Sequence, residues 1–487
     1  MCFSIATSAA CCAGRSFCNN CCACCKSCCG TTLKEQIRMA YIFFNLICFL
    51  IVIFILYWFQ DWLEPFEKYI SCPDASGGEQ TCLGIASVYR ISFILAVMYF
   101  FIAVFMLCKN KFSKELNEGL WCFKVTFVIA AWFGTLFINN DFFEGYRDVA
   151  KVLSIVYLIF QSVCMIELFY MWGFGWFNKY VNIEKNQNQN QNLNLNQNQN
   201  NKEHKFNNTM GCLLITTALI LFSATIVFNV MNIIWFSGCG FSIGITLVNI
   251  ALIVATIIIQ IIKTGTLIAT LSQCLYMTYL TFSALLSHPD EDCSDLYLDQ
   301  HALVFELIVS LIILIVILIY ITFSKREYSS CVALIPGNVL TSNQDKQLEQ
   351  KEELIEVQEQ NDQKNLKNEN NHNNNVNNNN IQQPKVVLEV QDQKLKRYQN
   401  NAFFYFHVIM FFVSVYAAML ITNWGSPSIE TQSIDAYQPS WFSFWVKILV
   451  GWLSSLIYIY SIFRKQLISQ QDYMQEQKNK NIVNYQV

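Results

Sequence analysis

Residues 148–172 read DVAKVLSIVYLIFQSVCMIELFYMW. The stretch has the length of a membrane-crossing helix, which needs about 20 mostly apolar residues. Gln161 and Glu167 interrupt its apolar run. A carboxylate at the centre of such a helix costs roughly 2.5–3.5 kcal/mol even on insertion scales. Other helices must therefore supply its partners. The rest of the chain is read as those helices, plus the soluble segments attached to them.

The composition agrees. Of 487 residues, 54% are hydrophobic and only 14% charged, against about 25% charged in soluble domains. Apolar runs of about 20 residues recur along the chain, so it reads as an all-α integral membrane protein with many spans. The net charge of −3 offers nothing to attract nucleic acid. The start lacks the pattern of a cleavable signal peptide. The first apolar run is expected to act as both signal and first helix.

Hydropathy places ten spans at 37–59, 88–108, 120–138, 148–172, 210–236, 241–262, 264–287, 301–323, 402–423 and 441–463. A Cys-rich segment, 1–36, precedes them, and a tail, 464–487, follows. Two polar linkers divide the series. Residues 182–207 hold the Asn/Gln run 186–201, and 324–401 are charged and Asn-rich. Neither can bury enough apolar surface to order itself. The membrane segments are thus 37–181, 208–323 and 402–463.

Basic residues set the expected orientation. Lys109, Lys111, Lys114, Lys179, Lys185, Lys263, Lys325, Arg326, Arg464 and Lys465 fall on one side if the spans alternate. The other side carries Asp61, Glu64, Glu67, Asp141, Glu144, Asp290–Asp295, Glu430 and Asp435, with Lys68 and Arg147 as exceptions. Both termini and both linkers are then cytosolic. The host is an endomembrane or the plasma membrane.

Ten of the 21 cysteines lie in 1–36. Cys21, Cys22, Cys24, Cys25, Cys28 and Cys29 are its densest group. Three readings stand for them: S-palmitoylation beside a membrane helix, packing of a small-residue helix against the bundle, or a metal site. The last is disfavoured, because no histidine accompanies the doublets. On the opposite side, Cys72 and Cys82 bracket a short loop and can form a disulfide. Cys293 is left over, or replaces one of them.

Depth along the helices suggests two ion pairs. At 1.5 Å per residue, Lys124 lies roughly 6 Å inside one end of the third span. Glu167 lies roughly 8 Å inside the same end of the fourth. The loop between these spans is short, so Lys124 and Glu167 are expected to pair. Glu306 and Lys447 enter from the other side at matching depths and form the second expected pair. A structural clamp is favoured over a transport site for both, since breaking a buried pair strands a charge. The alternative for each lysine is to reach its nearby interface. Gln161, Asn229, Asn232 and Gln260 are candidates for a polar groove, although most such residues in spans make interhelical hydrogen bonds. His407 reads as structural.

No phosphate-binding loop, zinc motif, nucleophile elbow or pair of hydrolytic acids is present. Neither an enzyme nor a bound cofactor is expected.

Several strings resemble the serine incorporator (Serinc) family, nearly end to end. They are the N-terminal Cys doublets, Val88-Tyr89-Arg90-Ile91-Ser92-Phe93, Asn117-Glu118-Gly119-Leu120-Trp121-Cys122-Phe123-Lys124, and Phe137-Ile138. Span four with Gln161 and Glu167, and Tyr276 to Ala284 followed by Cys293, continue the match. Phe406-His407, Ala417 to Trp424, Trp445-Val446-Lys447 and Trp452 complete it. There are departures: Cys2 replaces the glycine of many relatives, Glu167 replaces an aspartate, and Asn139 replaces a proline.

The resemblance implies two helix bundles joined by a long, tilted fourth helix. It also implies a part in phospholipid handling. That part is passive phospholipid movement between leaflets, or supply of serine for phosphatidylserine and sphingolipid synthesis. Phospholipids are the first implied partners, with serine or lipid-synthesis enzymes behind them. The competing reading is a non-transporting scaffold that gathers such enzymes. A homo-oligomer stays open.

Overall fold

Within hydrocarbon, a chain can satisfy its backbone only as helices or a closed barrel, and apolar runs of this length fold as helices. The structure is a computed structural model, described here for residues 33–58, 79–108, 111–192, 197–263, 266–296, 299–323, 385–425 and 440–484. Among these residues there are eleven α-helices, one 3-10 turn and no strands. The helices are α1 (Leu33–Trp58), α2 (Glu79–Leu107), α3 (Lys111–Glu118), α4 (Trp121–Thr135), α5 (Asn140–Asn192) and α6 (Gln197–Trp235). They continue as α7 (Gly240–Lys263), α8 (Leu267–Leu286), α9 (Gln300–Phe323), α10 (Lys385–Ile421) and α11 (Trp441–Asn484).

Eight of these helices are long and apolar enough to cross a membrane. The protein is multi-pass. Two expected spans differ from the other eight. Helix α4 has only 15 residues, about 22 Å at 1.5 Å per residue. Helix α8 is long enough, but carries Thr270, Ser272, Gln273, Thr278, Thr281 and Ser283, all buried. It packs against α5, α6, α7 and α11, so its polar side chains meet protein rather than lipid.

The helices form two groups that do not follow chain order. Helix α2 packs with α1, α3, α4 and α10. Helix α8 packs with α6, α7 and α11. The last two helices thus part company, α10 joining the first group and α11 the second. Helix α9 packs on α1, α5 and α10. Helix α5 contacts both groups: α2 and α10 on one side, α6, α8 and α11 on the other.

Helix α7 shows what surrounds the protein. Its buried residues include Ser242, Thr246, Asn249, Thr256 and Gln260, while Phe241, Leu247, Val254, Ile258 and Ile261 are exposed. A soluble helix has the reverse pattern. Helix α6 likewise exposes Leu213, Ile215, Leu219, Ile220 and Phe222. Apolar surface of this extent requires lipid or another protein against it.

The helices outrun the expected boundaries. Residues 182–192 and 197–207, read from sequence as a disordered linker, lie in α5 and α6. Helix α10 begins at Lys385, inside the expected loop 324–401, and α11 reaches Asn484 in the tail. Once a span has nucleated a helix, adding a turn of Gln, Lys and Glu fixes one residue per hydrogen bond.

Candidate functional site

The junction of the two groups, beside α5, holds a small cavity lined by both polar and apolar side chains. Leu158 and Gln161 of α5, Tyr279 and Ser283 of α8, and Glu306 and Ser310 of α9 form part of its wall. Asn423 and Trp424, just past α10, and Lys447 of α11 close it.

Its strongest feature is an ion pair. Lys447 Nζ lies 2.9 Å from Glu306 Oε1. Both residues are more than nine-tenths buried. Buried charges are tolerated only when their remaining lone pairs and protons are also satisfied. Lys447 donates further to the Ser283 carbonyl at 3.2 Å and to Ser287 Oγ at 2.9 Å, which fills its three donors. Ser283 Oγ donates to Glu306 Oε1. Tyr279 OH donates to the Glu306 carbonyl at 3.1 Å and lies 2.6 Å from Ser310 Oγ. Sequence reasoning had not singled out Ser287, Asn423 or Trp424 for a site. Their signal is positional: Ser287 lies one helical turn beyond Ser283, and Asn423-Trp424 ends the ninth apolar run.

Of the expected Lys124–Glu167 pair, each residue makes contacts of its own. Lys124 Nζ donates to the Gly119 carbonyl at 2.8 Å and the Asn117 carbonyl at 3.3 Å. These carbonyls end α3, where the helix dipole is negative. The ammonium also lies 4.6 Å from the Tyr41 ring centre and 4.4 Å from that of Trp121, within cation–π range. Glu167 accepts from Tyr320 OH of α9 at 2.9 Å. Matching depth placed the two residues at one level, but their helices turn them to different neighbours. His407 belongs to the Lys124 cluster, with Nε2 2.8 Å from Asn117 Oδ1.

Of the four expected groove residues, Gln161 lines the junction cavity and the other three make contacts elsewhere. Gln161 faces the junction cavity. Asn229 Nδ2 donates to Thr278 Oγ1 at 2.8 Å, and Asn232 Nδ2 to the Thr278 carbonyl at 3.4 Å. Those contacts fall on the α6 side of α8, whereas Tyr279 faces α9. Gln260 is buried on α7.

A further buried cation, Arg90, is marked in the sequence only as part of a string. Arg90 donates to the carbonyls of Ala86, Thr135 and Ile138 and to Asn140 Oδ1, at 2.8–3.1 Å. It lies over the Phe143 ring, 4.4 Å from its centre. The planar guanidinium fork suits this set of acceptors. It ties α2 to the turn between α4 and α5.

Cys293 is not left over, and its partner is neither expected one: it forms a disulfide with Cys239. The bond joins the α6–α7 turn to the loop after α8. The two segments approach closely there. A Cβ on Gly238 would meet the Asp292 carbonyl oxygen at 1.9 Å, so only glycine fits. Nearby, His288 is 3% exposed and sits 4.6 Å from the Trp441 ring. Burial lowers its pKa from 6.5, an effect that Asp290 partly offsets. The expected Cys72–Cys82 bond and the cysteines from Cys21 to Cys29 lie outside the residues whose side chains are described.

Comparison with known proteins agrees with this architecture. The family described as serine incorporator (Serinc) matches residues 10–469. The chain is 23% identical over 483 residues to serine incorporator 5 of Danio rerio, covering 95% of this chain and 97% of the relative. It is 22% identical over 443 residues to serine incorporator 3 of Mus musculus, covering 80% of each. It is 21% identical over 418 residues to a probable serine incorporator of Nematostella vectensis, covering 82% and 83%. A match of this extent, on a multi-pass helical chain, shows that the protein belongs to the serine incorporator family.

Proposed function

We propose that this protein handles membrane phospholipid, moving it between leaflets without ATP. The observation that carries the reading is the position of α5. It runs between the two helix groups and packs on α10 of one and on α8 and α11 of the other. It also presents Gln161 to the cavity at their junction. A long helix between two bundles is a natural place for the bundles to shift past each other. Polar groups along such a seam can shelter a headgroup that hydrocarbon would exclude. The chain shows no nucleotide-binding motif in its sequence, in keeping with movement down a gradient. The proposed orientation keeps both termini cytosolic, as the basic loops suggest.

Reconstitution tests the reading. Purified protein in liposomes should speed the exchange of fluorescent phosphatidylserine between leaflets. Exchange no faster than in empty vesicles would sink it. A serine-binding measurement on the same preparation addresses the name carried by its relatives.

A further inference from the structure

Two residues in the wall of the junction cavity carry a buried polar atom without a hydrogen-bond partner, Gln161 Oε1 and Asn423 Nδ2, while the Gln161 amide also meets the Tyr276 hydroxyl. Gln161 is 3% exposed and Asn423 is 8% exposed. One atom is an acceptor and the other a donor. Native interiors rarely leave such atoms unpaired, and each exception calls for an occupant or a role. The charged groups in the wall already satisfy each other, because Glu306 and Lys447 form a direct pair. A ligand with net charge would have to break that pair. A neutral group that both donates and accepts would not.

The backbone supports the same conclusion. Asn423 and Trp424 have φ of 43° and 65°, in the left-handed region that non-glycine residues seldom occupy. Two such residues in succession turn the chain sharply at the end of α10 and set Asn423 over the cavity. Conformations of this kind persist where the surroundings hold them, and they gather at ligand clamps.

We propose that the cavity is a binding site for one neutral hydroxyl group, which donates to Gln161 Oε1 and accepts from Asn423 Nδ2. Water and the alcohol of a membrane lipid share this chemistry. A site with both polar partners can hold an ordered hydroxyl where an apolar void would stay dry. The proposal does not depend on lipid movement, because it rests on the cavity and its two unpaired atoms.

Hydroxyl-radical footprinting in ¹⁸O-labelled water tests it, on the full-length protein in nanodiscs of a lipid without free alcohols. With water in the cavity, Tyr279 and Trp424 label several-fold faster than Tyr99, which is buried away from it. Labelling at no more than the Tyr99 rate means a dry cavity and overturns the proposal. In Gln161→Leu, cavity labelling should fall to the Tyr99 rate; labelling equal to wild type also overturns it. A second arm adds a sterol or its methyl ether. Protection by the sterol alone assigns the lipid alcohol as occupant, and protection by neither assigns water. Equal protection by both indicates apolar filling and rejects hydroxyl recognition.

Discussion

Lys447 and Glu306 meet at 2.9 Å across the boundary between helix groups, since α9 packs with α1 and α10 while α11 packs with α8. Their pairing makes the junction a matched contact rather than a simple apolar seam. Removing one partner strands a buried charge, which costs about 3–5 kcal/mol, whereas an apolar replacement of both is often neutral. Lys447→Met and Glu306→Leu should each lower the thermal midpoint in detergent by many degrees. The double variant should recover most of the loss. A double variant as unstable as the sum of the singles would show that the two residues do not act as a pair.

Arg90 gives a sharper test of geometry than of charge. Its fork reaches four acceptors, and a lysine ammonium has neither the reach nor the planar spacing to replace it. Arg90→Lys should therefore destabilise the protein nearly as much as Arg90→Met, by roughly 3 kcal/mol or more, given about 1.5–3 kcal/mol for each hydrogen bond to a charged group. Size-exclusion thermostability of the two variants makes the comparison. Wild-type stability in Arg90→Lys would mean that charge alone matters there.

The Cys239–Cys293 bond closes a loop with a sequence separation of 54. In the chain-entropy account, a loop of that length is worth roughly 4 kcal/mol. Cys239→Ser, Cys293→Ser and the double variant should all lose the same stability, because one bond is lost in each. Non-reducing peptide mapping should recover the 239–293 linkage from wild type. Cys293 linked to any other cysteine would refute the assignment.

His288 should make the same end of the protein sensitive to acid. Burial holds its folded-state pKa below the ordinary 6.5, so the unfolded chain takes up the proton first as pH falls. The stability tied to the neutral ring is complete above about pH 6.5 and declines below it, toward the lowered folded value. The thermal midpoint should therefore drop as the pH falls below about 6.5. His288→Phe, which suits the surrounding Trp441, Phe444 and Phe241 rings, should flatten that slope. An equal slope in wild type and variant would assign the sensitivity elsewhere.

Sequence alone was informative about length and chemistry and weak on azimuth. Apolar runs located the eight helices long and apolar enough to cross a membrane, because hydrocarbon permits few alternatives. Depth arithmetic put Lys124 and Glu167 at one level, but which way a helix faces depends on packing that no local pattern records. Lys124 found the carbonyls closing α3, a partner that side-chain types do not advertise. Cys239 sits in a turn of a few residues between α6 and α7 and drew no notice until its neighbour across the fold was known. Arg90 was legible as a motif letter, while its acceptors, mostly backbone carbonyls, leave no mark on composition. The cavity needs five separate segments to converge, and of its lining only Gln161, Glu306 and Lys447 stand out in the sequence.

Helix α8 carries a consequence for how the protein is made. It holds six buried Ser, Thr and Gln residues and falls short of the hydropathy of the other spans, so partition into lipid alone gives it little reason to remain. Its companions α6 and α7 precede it, but α11, against which it packs closely, follows only after α9 and α10. During synthesis α8 must wait for α11 to be made before its sheath is complete. The early-made hairpin of α6 and α7, joined to the loop after α8 through Cys239 and Cys293, is placed to hold it in the interval.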